Sequence, residues 1–95
     1  MKFLASIVIP AKNEEKSIGV VVAGLRALEL NLEIIVVDDG STDSTGAIAR
    51  AAGARVIAHP YSKGNGAAIK AGAREAEGTM IVFMDGDGQH SPSDV

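Results

Sequence analysis

Short apolar segments alternate with helix-like segments along the whole chain, and this alternation limits the fold more than any other feature. Strands that alternate with helices form parallel sheets with right-handed crossover connections. We therefore expect an α/β fold with a Rossmann-like three-layer arrangement, and we take its parallel strands to follow the common order 3-2-1-4. The predicted strands are Phe3–Pro10, Leu32–Val37, Arg55–Ala58 and Thr79–Met84.

Three helices are predicted between these strands. The first has apolar side chains at helical spacing between Ile18 and Leu28, so one of its faces should be buried. Asn13 is of a residue type that caps helices and is predicted to begin it. The second helix is predicted to begin at Asp43 or Ser44 and end at Ala52, and the third is predicted to be Asn65–Ala76.

Length and composition indicate one folded domain. The chain has 95 residues, 46% of them hydrophobic and 22% charged, a balance typical of globular rather than disordered proteins. It has no cysteine, which excludes disulfides and thiolate zinc sites. A net charge of −3 disfavours nucleic-acid binding through phosphate neutralisation. No apolar run approaches the ~20 residues of a membrane-spanning helix, so we expect a cytoplasmic protein.

The last residues have the pattern of a helix start. In Ser91-Pro92-Ser93-Asp94 a capping residue precedes a proline at the first helical position and an acid at the third. A domain that stops in the first turn of a helix would be unusual. We therefore expect residues 1–95 to be part of a longer protein.

Acidic residues follow two of the predicted strands. Because the carboxyl ends of parallel strands meet at one edge, these acids and the Pro10–Glu14 segment should converge there. Crowded carboxylates repel one another unless a cation binds, and the Asp-Gly-Asp-Gly loop suits Mg²⁺ or Mn²⁺. Alternatively, each acid caps a helix or solvates a loop. The acids are Asp38, Asp39 and Asp43 after the second strand, and Asp85 and Asp87 after the fourth.

Four motifs occur in an order and spacing similar to those of a known family. Together they resemble the N-terminal half of a family-two inverting glycosyltransferase with the GT-A fold. The dolichol-phosphate mannose synthase-like branch, which uses polyprenyl phosphates, is the most similar. The motifs are Ile7–Glu15 (IVIPAKNEE), Val36–Asp43 (VVDDGSTD), Lys63–Ala67 (KGNGA) and Met84–His90 (MDGDGQH).

The resemblance implies a role for each motif. In the family, the Asp-x-Asp motif binds a divalent metal that bridges the diphosphate of a nucleotide sugar. This implies Mg²⁺ or Mn²⁺ held by Asp85, Asp87 and Gln89, with Asp85 and Asp87 as the catalytic residues. An aspartate in the Val37–Asp39 turn is implied to accept a hydrogen bond from the base. The implied nucleotide-binding residues are Pro10, Ala11, Asn13, Glu14, Val37, Asp38, Asp39, Lys63 and Gly64.

The resemblance leaves the donor base and the acceptor open. Lys12 stands where many family members have an aromatic residue against the base, so base stacking is not implied for this chain. The donor is expected to be UDP- or GDP-linked, with the base left open. The acceptor-binding half, with the general base, is expected beyond Val95. The longer protein is expected to use a polyprenyl-phosphate acceptor at the cytoplasmic face of the membrane, and residues 1–95 alone are expected to be inactive.

The same residues leave two other functions open. Ile81–Gly88 also resembles the nucleophile loop of haloacid-dehalogenase-like phosphatases, in which Asp85 would be phosphorylated and Asp87 would be the acid/base. That loop, however, belongs on strand one, and position 89 should be Thr or Val. The second alternative is a nucleotide-binding module without catalytic activity.

The fourth strand is expected to promote self-association. In the order 3-2-1-4 it lies at an edge, and Met80–Met84 contains no lysine, proline or polar alternation that would blunt that edge. An exposed apolar edge of this kind can pair with a second copy of the chain.

Overall fold

A computed structural model describes residues 3–85 and contains a four-stranded parallel sheet. The strand order is β3-β2-β1-β4, which confirms the predicted α/β fold and topology. The strands are β1 (Ala5–Ala11), β2 (Leu32–Asp39), β3 (Arg55–His59) and β4 (Met80–Phe83), and the helices are α1 (Ile18–Arg26), α2 (Thr45–Ala51) and α3 (Asn65–Glu75).

The sheet has a hydrophobic core on each face because successive side chains of a strand point in opposite directions. On one face, Ile9 and Val36 pack with Ile18 of α1 and Ala49 of α2. On the other face, side chains of β1 and β2 pack against Ala68 of α3. Strands β1 and β2 are therefore covered on both faces, as their continuous apolar sequence predicts.

Helix α3 lies unusually close to the sheet at Gly72. A Cβ atom at this position would be 2.2 Å from Cγ1 of Val8 and 3.3 Å from Cγ2 of Val37. Only glycine fits between the helix backbone and these two buried side chains. This contact fixes the height of α3 above β1 and β2.

The start of α1 differs from the prediction. The helix begins at Ile18 rather than at Asn13. Asn13 has a left-handed backbone with a φ of 53°, and its side chain bonds to Thr42 in another loop. The predicted Asn13 cap is therefore wrong, because a tertiary hydrogen bond uses the side chain that would have capped the helix. Ser44, by contrast, immediately precedes α2 as predicted.

Strand β4 lies at an edge of the sheet in the part of the chain that the structure describes. It pairs with β1 from Ala5↔Met80 to Val8↔Phe83. Its four side chains are all exposed, with relative exposures between 38% and 58%. Residues 86–95, including the helix start predicted at Ser91, lie outside the described residues. Between residues 3 and 85, no helix is long and apolar enough to cross a bilayer.

We predict that Gly72→Ala destabilises the fold by about 1–3 kcal/mol, because the added methyl group overpacks the core against Val8. Urea unfolding followed by circular dichroism measures this loss. Gly24→Ala is the matched control, since no atom lies within 4 Å of a Cβ at this exposed position of α1. The control should be neutral or stabilising. Equal unfolding free energies for Gly72→Ala and wild type would contradict the close packing of α3.

We also predict that the chain self-associates through β4. Light scattering across a dilution series should show a mass that rises with concentration. Ile81→Lys should reduce this association, because a charge would have to be desolvated between the paired strands. Val20→Lys, on an exposed position of α1, is the control and should not reduce it. A strict monomer at high concentration, with slow exchange of the β4 amides, would contradict this prediction.

Candidate functional site

The carboxyl ends of the four strands lie along one edge of the sheet. Ala11 pairs with Asp38, Asp39 pairs with His59, and Met84 donates its backbone N–H to the carbonyl oxygen of Val8. The topology therefore brings the segments that follow β1, β2, β3 and β4 to the same edge. This is the edge at which open α/β sheets bind ligands.

Two of these loops are joined through Asn13. Its backbone N–H donates to Oγ of Ser41 over 2.9 Å, and its side-chain Oδ1 accepts from the N–H of Thr42 over 2.8 Å. The β1–α1 loop and the β2–α2 loop are thus connected in both directions. Asparagine tolerates the left-handed backbone that this arrangement requires.

Further contacts extend this connection along both loops. Glu14 donates its backbone N–H to Oγ1 of Thr45 over 2.8 Å. Glu15 accepts from the N–H of Ser44 over 3.0 Å and donates its own N–H to Asp43 over 3.3 Å. These hydrogen bonds satisfy backbone groups that would otherwise need water. The two loops therefore form one hydrogen-bonded unit at the ends of β1 and β2.

Asp43 belongs to this unit and is stabilised as a carboxylate. It accepts hydrogen bonds from the Thr45 hydroxyl and, over 2.9 Å, from the Thr45 N–H. The hydroxyl of Thr45, more than the remaining contacts, holds the pKa of Asp43 below its ordinary value. Asp43 therefore has a local structural role in the β2–α2 loop.

Asp39 is the most highly coordinated side chain at this edge and is only 4% exposed. Its Oδ1 accepts from Nδ1 of His59 over 2.9 Å and from the N–H of Lys63 over 2.8 Å. Its Oδ2 accepts from Oγ of Ser62 and from the N–H of Gly64, both over 2.9 Å. Burial by itself raises the pKa of Asp39, but these four hydrogen bonds outweigh it and hold the pKa well below the usual range.

Gly40 allows the β3–α3 loop to approach the end of β2. Its φ is 73°, and a Cβ atom there would lie 2.4 Å from the backbone nitrogen of Ser62 and 2.6 Å from the carbonyl carbon of Tyr61. A larger residue would strain the backbone and push the loop away. Together, Gly40 and Asp39 hold Lys63 and the start of α3 at the edge of the sheet.

Asp38 faces the opposite side of the sheet from Asp39. Its Oδ1 accepts from the N–H of Ser41 over 3.1 Å, and its Oδ2 lies beside Gly46 of α2. Because neighbouring side chains of a strand point to opposite faces, the two aspartates bond to different loops. N–H or O–H donors thus bond to each of Asp38, Asp39 and Asp43. The expected cation between the acids after β2 and those after β4 stays a prediction, because Asp87 lies outside the described residues.

A cavity of about 340 Å³ opens beside the ends of β1 and β4. Pro10 contributes one wall, and Asn65 and Ile69 of α3 contribute another. Phe83, Met84 and Asp85 complete the lining, so the cavity has both apolar and polar walls. Asp85 is thus placed beside Pro10 and the start of α3, as the topology predicts.

The predicted metal site is only partly within the described residues. Asp85 lies at their end, and Asp87 and Gln89 lie outside them. Among residues 3–85, no three His, Cys, Asp or Glu side chains are grouped closely enough to hold a metal. The Asp85, Asp87 and Gln89 set therefore stays a prediction.

Sequence reasoning missed the residues that join the loops. The run Ser41–Thr45 is rich in hydroxyl groups, which is a signal for loop hydrogen bonding that sequence alone can supply. No local pattern, however, connects Asp39 with His59 and Ser62, which are 20 and 23 residues away. Only the pairing of β2 with β3 brings them together.

We predict that Asp39→Asn destabilises the fold by about 2 kcal/mol or more, because the amide places a donor against groups that are themselves donors. The lowered pKa of Asp39 also sets the pH dependence. Its stabilising contribution is complete above the unfolded value of ~4 and is lost as the pH falls through the lower folded value. The difference from wild type should therefore be constant down to about pH 5 and shrink below about pH 4. Urea unfolding between pH 5 and pH 2 measures it.

Asp38→Asn is the matched control for this experiment. Asp38 is half-buried and accepts its hydrogen bond on one oxygen, so its substitution should cost less stability. If Asp39→Asn unfolds with the wild-type free energy and pH profile, the β3–α3 loop does not depend on Asp39.

The chain matches one family model and is similar to several glycosyltransferases. Residues 6–95 match the model of glycosyl transferase family 2. The chain is 38% identical over 100 residues to the dodecaprenyl-phosphate galacturonate synthase of Rhizobium johnstonii. That alignment covers 95% of this chain and 30% of the relative.

Two solved structures share the fold. The chain superposes on glucosyl-3-phosphoglycerate synthase from Mycobacterium tuberculosis, in complex with Mn²⁺, UDP and glucosyl-3-phosphoglycerate, with a TM-score of 0.77 and 35% identity. The match covers 88% of this chain and 33% of that enzyme. Mannosyl-3-phosphoglycerate synthase from Rubrobacter xylanophilus gives a TM-score of 0.82 at 25% identity, covering 96% of this chain and 33% of the enzyme.

The chain thus spans about a third of the length of these relatives. Its parallel order β3-β2-β1-β4 is that of a partial GT-A fold. The sequence match and the superpositions agree over almost all of its residues, and the chain therefore belongs to glycosyl transferase family 2.

Proposed function

We propose that residues 1–95 form a single donor-binding domain that takes up a nucleotide diphosphosugar in a metal-dependent, inverting glycosyltransferase. The observation that supports this most directly is the edge where the hydrogen-bonded loops after β1 and β2 meet the β3–α3 loop and the cavity beside Asp85. Family membership supports the transferase over the phosphatase alternative, and Asp85 follows the edge strand β4 rather than the first strand.

The loops after β1 and β2 are suited to hold the nucleoside. Ordered loops lose little conformational freedom when a ligand binds, which favours affinity. Four donors already occupy the two oxygens of Asp39, so a base N–H that bonds there must displace one of them. Asp38 has one oxygen engaged by Ser41 among the described contacts, so it can accept a further hydrogen bond. The proposed nucleotide-binding residues are Pro10, Ala11, Asn13, Glu14, Val37, Asp38, Asp39, Lys63 and Gly64.

The diphosphate is proposed to lie between Lys63 and Asp85. Asp39 fixes the backbone at Lys63. The ammonium group of Lys63 lies 5.5 Å from the centre of the exposed Tyr61 ring. Mg²⁺ or Mn²⁺ held by Asp85, Asp87 and Gln89 would supply charge neutralisation for the departing nucleoside diphosphate. Oxygen ligands of this kind suit both ions. Structures of the Mycobacterium tuberculosis relative contain UDP with either Mn²⁺ or Mg²⁺.

The acceptor is proposed to be a polyprenyl phosphate, used at the cytoplasmic face of the membrane by a longer protein of the dolichol-phosphate mannose synthase-like branch. The name of the Rhizobium relative supports this acceptor, whereas the glucosyl-3-phosphoglycerate synthases favour a small phosphorylated acid. Residues 1–95 alone are proposed to transfer no sugar. General-base catalysis of acceptor attack is worth about 10²–10⁴-fold, and the base is expected in the part of the relatives that this chain does not span.

We predict that the chain binds UDP or GDP only with Mn²⁺ or Mg²⁺, because the diphosphate would otherwise meet the carboxylates unscreened. Titration calorimetry with each nucleotide, in metal and in EDTA, measures this dependence and identifies the preferred base. Asp87→Ala should abolish binding. Glu75→Gln, at the exposed C-terminal end of α3, is the control and should bind as wild type does. Equal affinity in EDTA would contradict the metal-dependent site.

A further inference from the structure

A buried polar cluster lies where the strands begin, at the end of the sheet opposite the candidate site. Glu33 of β2 is 6% exposed, and Ser6 of β1 is fully buried. Oε1 of Glu33 accepts from Oγ of Ser6 over 2.7 Å and from the backbone N–H of Glu77 over 2.8 Å. The Ser6 hydroxyl in turn accepts from the N–H of Gly78 over 2.7 Å. The two residues are thus bonded to the segment that leads into β4.

A buried carboxylate is costly, so its presence here needs a reason. Arg55 compensates part of the charge, with a guanidinium nitrogen 3.7 Å from Oε2 of Glu33 and another 3.0 Å from Glu75. This ion pair is loose and Arg55 is half-exposed, so it adds little stability. The main contacts of the Glu33 carboxylate are therefore its short hydrogen bonds with Ser6 and with Glu77.

The register of β4 against β1 depends on contacts outside β4 itself. Its side chains Met80, Ile81, Val82 and Phe83 are all apolar and all exposed in the described structure. A strand without alternation between buried and polar positions specifies its register only weakly through its side chains. Backbone bonds from Glu77, Gly78 and Thr79 hold the segment before β4 against β1 and β2. Gly78 also fits closely, since a Cβ atom there would lie 2.5 Å from the backbone nitrogen of Ser6.

We propose that Glu33, acting with Ser6, is a positioning residue for Asp85. By anchoring Glu77 and Gly78, it sets the register Ala5↔Met80 and hence the point at which β4 delivers Asp85 beside Pro10. The effect acts over the seven residues from Gly78 to Asp85, which at ~3.3 Å per residue span at most about 23 Å. The role of Asp85 rests on the proposed function, whereas the control of β4 register rests on the contacts alone.

Two measurements on the full chain test this proposal. Amide hydrogen exchange resolved by NMR compares β4 with β2, and calorimetry measures UDP binding with Mn²⁺. Ser6→Ala removes the acceptor for Gly78, so the amides of Met80–Phe83 should exchange about five- to tenfold faster while those of Ile34–Val37 change little. UDP binding with Mn²⁺ should weaken about as much. Glu33→Ala should have a larger effect in the same direction.

Three further variants separate positioning from general stability. Glu33→Gln keeps an acceptor oxygen and should remain within about threefold of wild type in both measurements. Glu75→Gln removes only the exposed partner of Arg55 and should change neither. Val22→Ala creates a cavity under α1 on the other face of the sheet and should speed exchange in β2 and β4 alike.

The outcomes distinguish the two proposals. If Ser6→Ala and Glu33→Ala change exchange as uniformly as Val22→Ala does, or if Glu33→Gln is as harmful as Glu33→Ala, the positioning role is overturned. If wild type binds neither UDP nor GDP with Mn²⁺ or Mg²⁺, the proposed function fails, but selective exchange in β4 still supports the control of its register. Should Glu33→Ala not fold, Ser6→Ala decides the question by itself.

Discussion

The parallel pairing of β1 with β2 on one side and β4 on the other is the constraint on which the rest of the structure depends. Parallel strands cannot be joined by tight turns, so a helix must cross over between them and every strand ends at the same edge. The loops after β1, β2 and β3 and the residues that follow β4, including Asp85, therefore lie at the same edge. Their backbone groups then need partners, and they find them mainly in one another.

Strand β2 carries a buried carboxylate at each end of the face that packs on α3. Glu33, Ile35, Val37 and Asp39 alternate onto this face, so two apolar side chains lie between two acids. Asp39 bonds to the backbone just before α3, and Glu33 bonds to the backbone just after it. Helix α3 is therefore held at both ends by hydrogen bonds and in the middle by packing. Such bonds lose strength sharply with misalignment, which favours one arrangement of the helix over nearby alternatives.

Asp39 and Glu33 hold different segments of the chain in place because they lie at opposite ends of β2. Asp39 organises the loop that carries Lys63, directly at the candidate site. Glu33 acts at the far edge, where its contacts anchor the start of β4. Both accept hydrogen bonds from backbone N–H groups. These bonds offset part of the cost of burying the carboxylate, and they hold the backbone segment that donates them in one position. The same face of β2 thus connects the candidate site with a second polar cluster at the other end of the strand.

The sequence by itself determined the α/β fold class and the edge of the sheet at which Pro10, Asp39 and Asp85 lie, because periodicity and chain connectivity leave few parallel-sheet solutions. The observed strand order is the common one among these solutions. Tertiary structure alone decided what each polar side chain does. Asn13 joins two loops instead of capping α1, and neighbouring Asp38 and Asp39 bond to different loops. Glu33 reaches a turn 44 residues away. These roles depend on hydrogen bonds between segments far apart in sequence, and a hydrogen bond forms only where folding has set the distance and direction between its groups.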